Sequence, residues 1–136
     1  MAPSLHLHHM GFVVADIATA MPAFVRSMAA EWDGNIFEDP LQKAKVAFLT
    51  TRPGDAQIEL VQPVGDDSPA RRFLQERGGM HHLCYEVADL EGELKAFRSR
   101  GAAIASRPKP AVAFGGRRIA WVITSEKFLV ELLEEK

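Results

Sequence analysis

The sequence predicts an α+β fold built from two tandem β-α-β-β-β modules, and three observations carry that prediction. The stretch "HHMGFVVADI" (8–17) returns seventy-three residues later as "HHLCYEVADL" (81–90), and seven of the twenty aligned positions from His8 to Ser27 are identical. The same offset lays "VAFL" (46–49) on "IAWV" (119–122), and one residue lost beyond it lays "IEL" (58–60) on "VEL" (130–132). Within each copy a period-two apolar pattern gives way to a capped helical period and then to three short strand signals. The chain reads as a tandem duplication.

The first module spans about 6–64. Residues 7–14 alternate and are rich in bulky or β-branched types, as a strand requires. Asp16 stands where a helix N-cap is wanted, and Ile17, Met21, Phe24 and Met28 follow at helical spacing. Pro22 removes a backbone donor from this helix unless the helix starts late, so the sequence defines the first helix less well than the second. Strands follow near 35–39, 45–51 and 57–63. A linker helix is predicted over about 68–78, with Ser68 as N-cap, Pro69 in the first turn and Gly78 as the stop. The second module, about 80–135, repeats the order: a strand at 81–87, Asp89 as cap, Leu90, Leu94 and Phe97 on one helical stripe, then strands at 103–106, 117–124 and 128–134. The two modules are expected to make one domain over residues 1–136.

Composition narrows the partners. The chain is 47% hydrophobic and 25% charged with a formal net charge of -2, and it has no run of like charge. Neither nucleic acid nor an anionic membrane is expected as a partner. No apolar stretch approaches the roughly 20 residues of a membrane span. The single cysteine, Cys84, has no internal disulfide partner, and the first residues lack the pattern of a secretory signal. The expectation is a cytoplasmic protein.

Strand alternation sorts the histidines. His81, Leu83, Tyr85 and Val87 share an apolar face expected to pack under a helix, while His82, Cys84 and Glu86 share the other. His9, Gly11 and Val13 correspond to that second face, and Gly11 leaves room beside His9. Glu59 and Glu131 point away from the apolar neighbours on their own strands. If the two faces line one cleft, His9, Glu59, His82 and Glu131 converge as a divalent metal site. Two imidazoles and two carboxylates suit octahedral Mn, Co, Ni, Fe or Zn with two positions left for water. The plainer alternative is that each is an ordinary strand residue, because duplication copies structural positions too. Against it, glutamate is depleted in strands, yet it recurs here inside two apolar strands at matching register. Asp16 and Asp89 read as caps, His8 and His81 as structural, and Cys84 as a core or cleft-lining residue rather than a nucleophile, with no basic partner evident.

Paired modules with a His and a Glu in each resemble the vicinal-oxygen-chelate superfamily of glyoxalases, extradiol dioxygenases and bleomycin-resistance proteins. Within it, "IELVQPVGDDSPARRFLQERGGMHHLCYEVADLEGELKAF" is similar to methylmalonyl-CoA epimerases, through Glu59, the linker residues Ser68, Pro69, Phe73, Leu74 and Gly78, and "GMHH". "RPKPAVAFGGRRIAW" and "LVEL" extend the likeness over roughly residues 7–134. The resemblance implies a curved mixed sheet around a metal cleft. It implies a homodimer too, and places the metal ligands on the same four residues: His9, Glu59, His82 and Glu131. It further implies a metal-dependent epimerase of methylmalonyl-CoA or a similar 2-substituted acyl-CoA thioester, working through an enolate with a base and an acid on opposite sides of the carbon. Glu131, as a ligand at the cleft, is the candidate for one catalytic role, and the second has no candidate. Arg71, Arg72, Lys109, Arg117 and Arg118 are candidates to meet CoA phosphates, with a solvated basic rim as the alternative. Two rival activities stay open on the same fold. One is a glyoxalase I-like lyase or isomerase acting on a thiol adduct; the other is a non-catalytic small-molecule binding or resistance protein. The sequence departs from the epimerase pattern in its short turn before "LVEL", in its first helix, and at Ala47. There a bacterial epimerase carries a glutamate proposed as an acid/base, and a carboxylate restored at that position is expected to raise the rate if it faces the substrate.

Overall fold

The structure is a computed structural model and describes residues 4–136. Its elements run β1 (His6–Val13), α1 (Ile17–Ser27), β2 (Glu31–Trp32), β3 (Phe37–Asp39), β4 (Ala44–Thr50), β5 (Gln57–Pro63), α2 (Pro69–Glu76), β6 (Gly79–Val87), α3 (Leu90–Ser99), β7 (Ala103–Pro110), β8 (Arg118–Ile123) and β9 (Leu129–Glu134). They fall into two compact units, residues 9–81 and residues 4–8 with 82–136. Each unit holds a mixed β-sheet. No helix among the described residues is long and apolar enough to cross a membrane.

In the unit of residues 9–81, β1 runs parallel to β5 and β4 runs antiparallel to β5. β2 and β3 both pair with β4. Strand alternation then decides what each face buries. Ala47, Leu49, Ile58 and Leu60 turn toward α1 and pack with Ile17 and Met21. Leu60 is fully buried, which is worth about 1.5–3 kcal/mol relative to exposure. The opposite face is not open throughout. Val13, Ala44 and Val61 pack there against Ala70, Phe73 and Leu74 of α2, so the linker helix covers one end of it.

The other unit repeats the plan. β6 runs parallel to β9, β8 antiparallel to β9, and β7 antiparallel to β8. Val87, Ala120, Val122, Val130 and Leu132 pack against Leu90, Leu94 and Phe97 of α3. On the reverse face Cys84, Ile119 and Leu133 cluster with Ala111, Phe114 and Trp121.

Local chemistry explains most boundaries. Asp16 caps α1 by accepting from the Thr19 N–H at 2.9 Å, and Asp89 caps α3 by accepting from the Gly92 N–H at 3.1 Å. Pro69 opens α2 behind Ser68, and Gly78, at φ 67°, takes the left-handed turn that follows the helix.

Beyond the two-residue β2, a strand added to the expected β-α-β-β-β order, two features differ from the sequence reading. α1 starts at Ile17 and runs through Pro22. Pro22 and Ala18 both lie on the exposed side of the helix, so the carbonyl that Pro22 leaves without a donor faces water. The strand expected at 103–106 continues to Pro110. It pairs on one side only, with β8, and its register shifts twice along the way. An edge strand with bulges tolerates prolines, which is why Pro108 and Pro110 do not end it.

Candidate metal centre

Each unit holds one buried histidine–glutamate pair. In the unit of residues 9–81, His9 lies on β1 opposite Gln57, and Glu59 lies on β5 opposite Gly11. The two side chains meet on the face away from α1, with His9 Nε2 3.3 Å from Glu59 Oε1 and only 0% and 5% of the side chains exposed. Gly11 presents no side chain beside Glu59. On the other flank β4 places Phe48 opposite Glu59, and the Phe48 ring stands at 5.5 Å and 72° to the His9 imidazole.

The second unit builds the same arrangement from the matching repeat positions. His82 Nε2 lies 3.3 Å from Glu131 Oε1, with 1% and 4% of the side chains exposed. Cys84 stands opposite Glu131 on β6, and Trp121 stands opposite it on β8. The Trp121 ring lies 4.7 Å from the His82 imidazole at 80°.

A buried carboxylate is costly unless paired, and a buried imidazole beside it answers part of that cost. The donor chemistry also fits a divalent cation. Nitrogen and oxygen ligands lie roughly 2.0–2.2 Å from such an ion, so adjacent ligands stand about 2.8–3.1 Å apart in an octahedron and about 3.3–3.6 Å apart in a tetrahedron. The 3.3 Å separation in each pair stands at the short edge of the tetrahedral spacing and about 0.2 Å beyond the octahedral one. His8 and His81 belong to neither pair. His8 packs edge-on against Phe114 at 5.4 Å, and His81 against Phe73 at 4.8 Å.

Residues 8–121 match the profile of the Glyoxalase/Bleomycin resistance protein/Dioxygenase superfamily. The chain belongs to that superfamily. Its relatives within it include the ethylmalonyl-CoA/methylmalonyl-CoA epimerase of Cereibacter sphaeroides, 29% identical over 85% of this chain and 86% of that protein. The structure superposes on methylmalonyl-CoA epimerase from Mycobacterium tuberculosis with a TM-score of 0.85 at 26% identity, covering 100% of this chain and 93% of that one. It shares the fold of a Streptomyces coelicolor methylmalonyl-CoA epimerase variant in complex with 2-nitronate-propionyl-CoA, at a TM-score of 0.80 and 21% identity over 97% of this chain and 99% of that one.

Against this superfamily background several individual residues find their places. Ala47 does not face the Glu59 side of the sheet. It is fully buried under α1 with Met21, Leu49 and Leu60, and the β4 residues that share the Glu59 face are Ala44, Val46, Phe48 and Thr50. No acid/base substitutes for Ala47 on that strand. Cys84 is fully buried, and a nitrogen of His8 lies within 4.8 Å of its sulfur, so a basic neighbour stands beside it after all.

Most of the candidate rim cations are engaged by the chain itself. Arg71 donates to the carbonyls of Gly65 and Pro63, and Arg72 pairs with Glu76 one helical turn on. Arg118 bridges Glu91 and Glu134. Arg117 donates to the Glu134 carbonyl at 2.8 Å and to the Glu86 carboxylate. Burial alone would raise the Glu86 carboxyl, but Arg117, helped by His8 and His6, holds it below the usual range. Lys109 is exposed on β7. The residues that sequence reasoning passed over are Phe48 and Trp121. Their signal was present, because "VAFL" and "IAWV" align them in the repeat, but only strand pairing sets each opposite its glutamate.

Proposed function

We propose that this protein is an epimerase of a malonyl-type acyl-CoA thioester such as methylmalonyl-CoA, with His9, Glu59, His82 and Glu131 together holding one divalent cation, Co, Mn, Ni, Zn or Fe. The observation that carries the reading is the duplicated buried pair, His9–Glu59 and His82–Glu131, each at ligand spacing. The names of its relatives support the substrate class.

The hydrogen on a carbon between two carbonyls is weakly acidic, and its removal sends charge onto the carbonyl oxygens. A divalent cation supplies Lewis-acid stabilisation of that charge. The chain's own part is to fix the ligands and to move the proton. Glu131 is the proposed acid/base. Its carboxylate is set by His82 on one side and flanked by Cys84 and Trp121 on the neighbouring strands, and its burial keeps bulk water from competing for the proton. A second acid on the other side of the carbon, outside these four residues, would return a proton there and give the epimer.

Metal-loaded protein in D2O is expected to place deuterium at C2 of methylmalonyl-CoA, and chelation is expected to stop it. Glu131→Gln should lower the exchange by about 100-fold or more, whereas loss of a rim arginine costs part of the substrate affinity. Unexchanged C2–H in both methylmalonyl-CoA and ethylmalonyl-CoA, with the cation bound, rules out the epimerase reading.

A further inference from the structure

In both units an aromatic ring reaches across the strand that carries the glutamate to meet the histidine on its far side. β5 lies between β1 and β4, yet the Phe48 ring on β4 contacts the His9 imidazole on β1. Likewise β9 lies between β6 and β8, yet the Trp121 ring on β8 contacts the His82 imidazole on β6. Strands two apart in a sheet are separated by about 9.5 Å, so each contact closes directly over the intervening strand at its glutamate. The other flank is occupied by Gly11 or Cys84, too small to do the same.

Rotation of an imidazole about its last side-chain torsion has two broad wells, and a half-turn exchanges the nitrogen that faces the glutamate for a C–H. A ring set at 72° or 80° to the imidazole blocks the sweep of that rotation. We propose that Phe48 and Trp121 are positioning residues that hold His9 and His82 with Nε2 toward the paired glutamate, and so set the affinity of the site for its cation. The inference rests on the metal reading above, and it adds the residues that preorganise the ligands.

The test compares the wild type with Phe48→Leu and Trp121→Leu, which keep apolar bulk without a planar ring, and with Trp121→Phe, which restores one. Three measurements are made on each purified chain: the melting temperature without metal, Co2+ affinity by calorimetry, and the imidazole nitrogen resonances of the metal-free protein. Each leucine variant is expected to bind Co2+ about 10-fold or more weakly. In each, the resonances of the neighbouring histidine should average between two ring orientations, and Trp121→Phe should recover both properties. Trp121 is also a reporter. Co2+ should quench tryptophan emission in the wild type, and in Trp121→Phe, which keeps Trp32, the share of the quenching that belongs to Trp121 should be lost while affinity remains. Leucine variants with wild-type affinity and unaveraged resonances overturn the positioning role. So does a loss of affinity in the leucine variants that Trp121→Phe fails to recover. A wild-type chain that takes up no Co2+, Mn2+, Ni2+ or Zn2+ overturns instead the metal reading on which the inference stands.

Discussion

Glu59 and Glu131 are each buried between a small residue on one neighbouring strand and an aromatic ring on the other, and this flanking chemistry decides what substitutions do. Ala47 shows the consequence of facing the other way. Ala47→Glu sends a carboxylate into the apolar layer under α1, and a buried unpaired charge costs several kcal/mol. The variant is expected to lose melting temperature sharply, or to fail to fold, without gain in deuterium exchange; thermal melts beside the exchange assay read both. Glu86 is a different case, on the same face of β6 as His82 and Cys84 but tied to Arg117 and, at 3.5 Å, to His6. Its folded carboxyl sits below the usual range, so the stability it contributes is fully present above about pH 4.3 and is lost as pH falls through the lower folded value. Glu86→Gln should therefore melt below the wild type at pH 7, and the gap should close in acid. A gap that persists unchanged at pH 3 contradicts the linkage.

At the scale of elements, the two repeat helices carry opposite backbone compromises. α1 contains Pro22 on its exposed side, which leaves one carbonyl without a helical donor. Pro22→Ala restores that bond and is expected to stabilise the fold by about 1–3 kcal/mol, seen as a raised melting temperature. α3 contains Gly92 at the position equivalent to Thr19. A Cβ there would come within 2.3 Å of the Asp89 carboxylate that caps the helix. Gly92→Ala should then yield none of the usual gain of about 1 kcal/mol, because the cap must move to admit it. A melting temperature raised by Gly92→Ala as much as by Pro22→Ala would show that the cap is not confined.

At the scale of the whole molecule, the duplication supplies each half with one His–Glu pair, and the proposed site needs both. Binding to the folded state alone stabilises it by about 2.7 kcal/mol at a hundred times the dissociation constant. Saturating Mn2+, Co2+, Ni2+ or Zn2+ should raise the melting temperature of the wild type. His9→Ala and His82→Ala should each abolish that rise, and the metal-free melt of each should fall as well, because a buried glutamate loses its imidazole partner. Retention of the full rise by either variant would mean that one pair alone suffices.

Periodicity and repetition are local properties of the chain, so the order of helices and strands apart from β2, both aspartate caps, the linker helix and the pairing of a histidine with a glutamate in each repeat were readable without coordinates. Period-two alternation also placed His9 and Glu59 away from α1, and His82 and Glu131 away from α3. Strand pairing is not local. It alone sets Phe48 opposite Glu59 and Trp121 opposite Glu131, turns Ala47 into the core, and leaves β7 at an edge where its prolines do no harm. Burial settled the rest. Pro22 is tolerated because tertiary packing leaves its side of α1 in water, and the basic rim is largely spoken for because folding brings carboxylates and carbonyls from distant strands within reach of Arg117 and Arg118. A sequence states which residues share a face of one element; which residues lie across from that face is decided only when the elements meet.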